Sequence, residues 1–193
     1  MARTTQKVLV PIAEGFEEIE AVTIIDVLRR AELDVTVAGL GSAGPILGSR
    51  GIRVQPDLAL DELDLAVFDV IVLPGGLGCT EALMGDERLL ASLRAHHGAG
   101  KLTAAICAAP MVLAEAGVID GVPVTSHPSV RGKLGKAEVR AAPRVIQSGN
   151  VMTSQGAGTA MEFALALVEE LCGADKAGEL ATAMVVPEAV PSA

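Results

Sequence analysis

The sequence contains neither tryptophan nor tyrosine, and only three of its 193 residues are phenylalanine. Without aromatic side chains, single-stranded nucleic acid has no platform on which to stack its bases. Basic residues are also in deficit: 15 Lys and Arg face 24 Asp and Glu, a formal charge of −9 that opposes a phosphate backbone. Nucleic-acid binding is therefore not expected. Long apolar runs are missing too. The longest, Leu102–Ala114, contains Pro110 and falls short of the ~20 residues a spanning helix needs. No membrane partner is expected, despite a positive mean hydropathy. The three cysteines, Cys79, Cys107 and Cys172, are an odd number without paired spacing, which excludes a disulfide framework. Met1–Lys7 leads straight into a strand-like segment without the apolar region of a secretory leader. The expected setting is a reducing cytoplasm. A Walker lysine and a dinucleotide fingerprint are absent, and no Cys or His stands at metal-ligand spacing, so neither cofactor nor metal is expected.

What is present is a large stock of small and branched aliphatic residues. At roughly 100–200 residues per domain, the chain is expected to form one domain over 1–193, with 187–193 as a flexible tail. Strand and helix signals alternate. Val8–Ala13, Val35–Leu40, Val70–Leu73 and Leu102–Ile106 read as strands. Further strands are expected at Val122–Thr125, around Val145 and at Val151–Ser154. Helices are expected at about Glu17–Ala31, Glu87–His97, Ala108–Gly117, Thr159–Cys172 and Lys176–Met184, and Gly41–Gly51 as a loop or short hairpin. In the first helix Ile19, Val22, Ile25 and Leu28 follow three-residue steps, leaving Glu18, Asp26, Arg29 and Arg30 to face water. Uniformly apolar strands alternating with helices indicate an α/β sandwich, a mostly parallel sheet with helices on both faces. Sites in such folds lie at the carboxyl ends of the strands.

Three strand ends carry chemistry: Glu14–Glu20, Leu73–Gly76 and Ala105–Pro110. Cys107 lies where a strand turns into a helix with Pro110 in its first turn, a place where a nucleophile can be held in a strained, accessible position. Amides of the following helix would lower its pKa. The competing reading is a small buried hydrophobe. Cys79 and Cys172 read as packing or surface residues. Glu17, Glu18 and Glu20 suit a helix N-terminus, and Glu20 alone falls on the inward side with Phe16 and Val27. A buried carboxyl there would keep its proton and could serve as acid or base. Gly75-Gly76 is either an oxyanion hole or a tight turn. His127, in Ser126-His-Pro128, is a proton shuttle or a solvated loop residue, whereas His96 and His97 read as surface. Gly156-Ala-Gly158 opens the helix at Thr159.

Taken together, Glu14-Gly-Phe-Glu-Glu-Ile-Glu20, Leu73-Pro-Gly-Gly76, Ala104-Ala-Ile-Cys107-Ala-Ala-Pro110, Ser126-His-Pro128 and Thr153–Thr159 resemble the ThiJ/PfpI superfamily. The similarity is greatest to the branch of the parkinsonism-associated protein deglycase and its bacterial relatives. The resemblance covers Lys7 to Val186. It implies a flavodoxin-like three-layer sandwich, a homodimer, and Cys107 as a reactive, oxidation-sensitive nucleophile hydrogen-bonded by Glu20. It further implies an oxyanion position at the Gly76 and Ala108 amides, His127 close by, and Arg50 and Arg30 around the pocket. The activity implied is a cofactor-independent glyoxalase or deglycase acting on methylglyoxal, other reactive dicarbonyls or glycated substrates. The alternatives are a redox-responsive chaperone or oxidative-stress sensor, and a thiol hydrolase or thiamine-pathway enzyme. Ala108 stands where protease-like relatives carry histidine, which argues against peptidase activity.

Overall fold

A computed structural model describes residues 5–187, so the expected tail lies outside the described residues except for Pro187. The chain builds a seven-stranded sheet from β1 (Lys7–Ile12), β2 (Asp34–Gly39), β3 (Leu58–Ala59), β4 (Val70–Leu73), β5 (Leu102–Ile106), β6 (Val145–Ser148) and β7 (Val151–Ser154). Their spatial order is β6-β7-β5-β4-β1-β2-β3. Every pairing is parallel except β6 with β7, which form an antiparallel hairpin at one edge. The inner strands are apolar at nearly every position because both of their faces are covered, and β4 and β5 are buried throughout.

The helices are α1 (Glu18–Arg30), α2 (Leu77–Met84), α3 (Glu87–Gly98), α4 (Pro110–Glu115), α5 (Ala160–Cys172) and α6 (Ala174–Ala183). From β1 the chain steps through α1 to β2 in one direction, and from β4 through α2 and α3 to β5 in the other. Right-handed crossovers then put the two groups on opposite faces. Accordingly α1 packs on α5 and α5 on α6, while α2 and α3 pack with α4. Phe16 and Phe163 are the largest fully buried side chains. No helix among the described residues is long and apolar enough to cross a membrane.

Several local expectations need correction. Ile19 and Val22 are 58% and 46% exposed, and Glu18 is 4% exposed, so α1 is rotated relative to the three-residue stripe. The face it buries holds Ala21, Ile24, Ile25, Val27 and Leu28. His96 is buried, its ring nitrogens 2.9 Å from the Ser92 and Phe68 carbonyl oxygens. Pro123–Val124 pairs with Glu138–Val139 as a separate two-stranded ribbon outside the main sheet. The Gly41–Gly51 segment, by contrast, does supply one strand of a minimal hairpin, Ile46–Leu47 against Arg53–Val54. Helix α2 and strand β3 had no expectation at all.

Candidate active site

The parallel register brings the carboxyl ends of the inner strands level, with Leu73 opposite Ala105 and Ile106 opposite Ser154. The segments just beyond them form the site. Cys107 follows β5 with φ of 65°, the left-handed region, which a non-glycine residue adopts only when its surroundings hold it there. Its amide donates to the Ser154 carbonyl at 3.0 Å, and its own carbonyl accepts from the His127 amide at 2.9 Å. These two bonds fix the turn, and the thiol is half-buried.

Glu20 comes from the first turn of α1 and is fully buried. Its amide is capped by the Glu17 carboxylate at 2.8 Å, which satisfies one orphan donor of the helix. Its Oε2 accepts from the Gly75 amide at 2.8 Å. Oε1 has no hydrogen-bond partner among the described residues, and the Cys107 thiol is the side chain that acts on the carboxyl as a hydrogen-bonding neighbour. A Cβ placed on Gly156 would lie 3.5 Å from His127 Cδ2, 3.9 Å from Cys107 Sγ and 4.0 Å from Glu20 Oε1. Residues from four distant parts of the sequence therefore converge on one small volume.

Burial pushes the Glu20 carboxyl up to about 7, against the hydrogen bonds from Cys107 and Gly75, with the nearby Glu17 charge adding to the rise. Burial, then the charge and hydrogen bond of Glu20, push the thiol up to about 12. The Gly76 and Ala108 amides act in the opposite direction, favouring the thiolate, but do not prevail. The expected lowering of the thiol pKa is thus reversed. Helix α4 is only 6 residues long, and the cost of burying a second anion beside Glu20 exceeds what two amides return. The two groups titrate as a unit, holding one proton between about 7 and about 12.

Gly76 has φ of 91°, and a Cβ there would lie 2.2 Å from the Gly15 carbonyl oxygen, so only glycine fits. It caps α2, and its amide is aimed at the sulfur. A cavity of about 530 Å³ opens in front of Cys107, bounded by Gly76, Ala108, His127, Arg50 and Lys133 among others. His127 Nδ1 accepts from the Ser129 amide at 3.3 Å and lies 2.8 Å from Ser129 Oγ.

Of the sequence candidates, Cys107, Glu20, Gly76, Ala108, His127 and Arg50 come together here. Arg30 does not. It lies ten residues further along α1 than Glu20, a rise of about 15 Å, and pairs with Asp26 at 2.8 Å in the exposed last turns. Sequence reasoning passed over Ser49, in a turn, and Ser129 and Lys133, in the short 3-10 helix Pro128–Lys133, all of which line the cavity. Cys79 is fully buried, its sulfur accepting the Ala13 amide at 3.3 Å. Among the described residues, no group of three or more His, Cys, Asp or Glu is placed to hold a metal ion.

Known proteins resemble the chain in sequence and in fold. The DJ-1/PfpI family matches residues 6–170. Protein dj-1beta of Drosophila melanogaster is 44% identical over 184 residues, 94% of this chain and 98% of the relative. The glutathione-independent glyoxalase DJR-1.2 of Caenorhabditis elegans is 38% identical over 180 residues, 93% and 95% of the two chains. Against the longer Protein DJ-1 homolog B of Arabidopsis thaliana, 43% identical, the chain spans only 42% of the relative's length. The crystal structure of Drosophila melanogaster DJ-1beta superposes with a TM-score of 0.92 at 42% identity, covering 96% of this chain and all of that one. Toxoplasma gondii DJ-1, in an oxidized form, gives 0.90 at 37% identity, covering 95% of this chain and all of that one. With a family match over most of its length and relatives of this identity spanning nearly all of both chains, the protein belongs to the DJ-1/PfpI family.

Proposed function

We propose that the chain, read as one domain over 1–193, is a cofactor-independent cysteine enzyme of the glyoxalase or deglycase type. Its substrates would be methylglyoxal, related reactive dicarbonyls and the glycation adducts they form. The observation that carries this reading is the placement of Cys107 Sγ and the unpartnered Glu20 Oε1 around one volume, with the Gly76 and Ala108 amides on the sulfur. A nucleophile, a proton carrier and an oxyanion donor are what an aldehyde needs. The cavity of about 530 Å³ is within the range of small-molecule sites and leaves room for adducts larger than a three-carbon dicarbonyl. The glyoxalase name of the Caenorhabditis elegans relative favours the same chemistry.

In this mechanism Glu20 takes the thiol proton as Cys107 Sγ bonds to the aldehyde carbon of methylglyoxal. The carbonyl electron pair moves to oxygen, where the two amides hold the charge, and protonation gives a hemithioacetal. Glu20, as carboxylate, then removes the proton from that carbon, giving an enediol, and returns it to the neighbouring carbon. The result is a lactoyl thioester. Water cleaves it to lactate and restores the thiol, so the oxidation of one carbon balances the reduction of its neighbour. His127, on the cavity wall, assists the proton transfers and the hydrolysis.

The test is lactate formation from methylglyoxal by the purified chain without glutathione, metal or nucleotide. Cys107→Ala should abolish it, and Glu20→Gln should cost about 100-fold, in the range for a positioned acid–base group. His127→Ala should cost less, since water can replace it. Lactate formation surviving in Cys107→Ala would refute the mechanism. A second reading, a redox sensor or chaperone acting through oxidation of Cys107, is favoured by the half-exposed thiol and by the oxidized Toxoplasma gondii relative. It gains if the intact reduced chain makes no lactate. A homodimer is the proposed assembly, in keeping with the exposed Ile19 and Val22 on α1, and sedimentation at the monomer mass would count against it.

A further inference from the structure

Glu18 takes no part in the chemistry above, yet it is 4% exposed. Its carboxylate turns away from α1 into the 48–52 turn. Oε1 accepts from the Arg50 amide and, at 3.4 Å, from the Ile52 amide. Oε2 accepts from Ser49 Oγ at 3.0 Å. Burial acts to raise the Glu18 pKa, but these donors outweigh it and hold the carboxyl below its ordinary value. The turn is shaped around the charge: a Cβ on Gly48 would lie 2.5 Å from the Glu18 carboxyl group. Two backbone bonds tie the same stretch to the loop after β1, from Ser49 N to Phe16 O and from Gly15 N to Leu47 O, each 2.8 Å.

This turn carries Ser49 and Arg50 to the cavity in front of Cys107. Arg50 makes no ion pair among the described residues, and its guanidinium donates only to the neighbouring Ser49 carbonyl, at 3.2 Å. Where its charge sits therefore depends on the backbone beneath it, and that backbone is held by Glu18. We propose that Glu18 is a positioning residue, whose buried carboxylate fixes the 48–52 turn so that Arg50 faces the cavity where Cys107 reacts. The inference rests on reading this cavity as the place where Cys107 meets its reactant, and not on that reactant being a dicarbonyl.

The experiment compares alkylation of Cys107 by anionic iodoacetate with that by neutral iodoacetamide, in the intact chain and in Arg50→Ala, Glu18→Gln, Glu18→Ala and the double variant Glu18→Ala/Arg50→Ala. Arg50→Ala should lower the iodoacetate-to-iodoacetamide rate ratio about threefold, the size of one nearby unit charge acting across a hydrated cavity. Both Glu18 variants should lower the ratio toward the same value although Arg50 is still present, with the iodoacetamide rate within about twofold of wild type. The double variant should fall no further than Arg50→Ala, since both changes remove one effect. If Glu18→Ala fails to fold, the near-isosteric Glu18→Gln carries the test. A wild-type ratio in the Glu18 variants, an unchanged ratio in Arg50→Ala, or additive losses in the double variant would each overturn the proposal. Absence of methylglyoxal turnover alongside the expected ratios would sink the enzymatic reading and leave this one standing.

Discussion

The amide of Gly75 donates to Glu20 Oε2 at 2.8 Å, and the Gly75 α-carbon sits so close that a Cβ there would lie 2.6 Å from that oxygen. The same Cβ would come within 2.7 Å of Cys107 Cβ. One glycine thus sets the spacing of the acid and the thiol. Gly75→Ala should force them apart or distort the turn, lowering stability by about 1–3 kcal/mol, as overpacking does. Urea unfolding measures this, and an unchanged midpoint would show that the strands relax without cost.

The Glu20 carboxyl titrates at about 7 in the folded chain against an ordinary 4.5. The folded state therefore holds this proton more tightly than the unfolded state does. Stability from the group is complete below about 4.5, falls as pH rises to about 7, and changes little above that. A shift of about 2.5 pH units corresponds to about 3 kcal/mol. Wild-type stability should decline by roughly that much relative to Glu20→Gln across this window, a difference in which the oppositely shifted Glu18 cancels. Parallel profiles for the two chains would remove the buried acid from the account.

The same substitution bears on the thiol. Burial is the main reason the Cys107 pKa stands at about 12, and the Glu20 charge is the next. Glu20→Gln leaves the burial and removes the charge, so the thiol pKa should fall part of the way. The rate of iodoacetamide labelling at pH 8 should rise, even as dicarbonyl turnover falls. A slower labelling rate would mean that a protonated Glu20 was supporting the thiolate instead.

At Gly156 an alanine methyl would meet its neighbours at ordinary contact distance, and the φ of 161° is extended backbone open to any residue. The fold should tolerate Gly156→Ala within about 0.5 kcal/mol, as most changes free of strain do. The methyl would nonetheless occupy the space between Sγ and Oε1. Turnover of methylglyoxal should fall about tenfold or more, with the glyoxal rate less affected because that substrate lacks the methyl group. Equal losses on both substrates would show that this space is not where the substrate lies.

Cys79 should be silent to iodoacetamide in the native chain and label only on unfolding. It is fully buried, and burial first among the causes raises its thiol to about 12. Mass spectrometry of the three cysteines reads this directly. Labelling of native Cys79 at the rate of Cys107 would indicate opening of α2.

The inner strands were legible because a short run such as Val70–Leu73, apolar on both faces and bounded by turn residues, suits a strand covered on both sides. Helix α2 was not, because Gly78 weakens its first turn. That glycine instead lets the helix approach the loop after β1, where a Cβ would lie 3.2 Å from the Glu14 carbonyl oxygen. Cys107 and Glu20 could be singled out from strand-end position and helical phase. The burial of Glu18 could not, since its donors lie 31 to 34 residues away in an irregular turn. The acidity of the thiol was misjudged for a related reason. Local sequence contains the helix amides, whereas desolvation depends on what the rest of the chain brings over the sulfur.

The carbonyl that holds the Cys107 turn belongs to Ser154, on a strand made 47 residues later, and the glycine closing the volume over the sulfur is Gly156. During synthesis, then, the cysteine leaves the ribosome long before the structure that restrains it exists. In parallel sheets such late, long-range pairings are the slow ones. A nascent chain should pass through a period in which Cys107 is an ordinary, solvated thiol, open to cellular oxidants and electrophiles. Ribosome-bound chains stalled before residue 150 should label with ordinary thiol kinetics, and chains carrying the β7 strand should not.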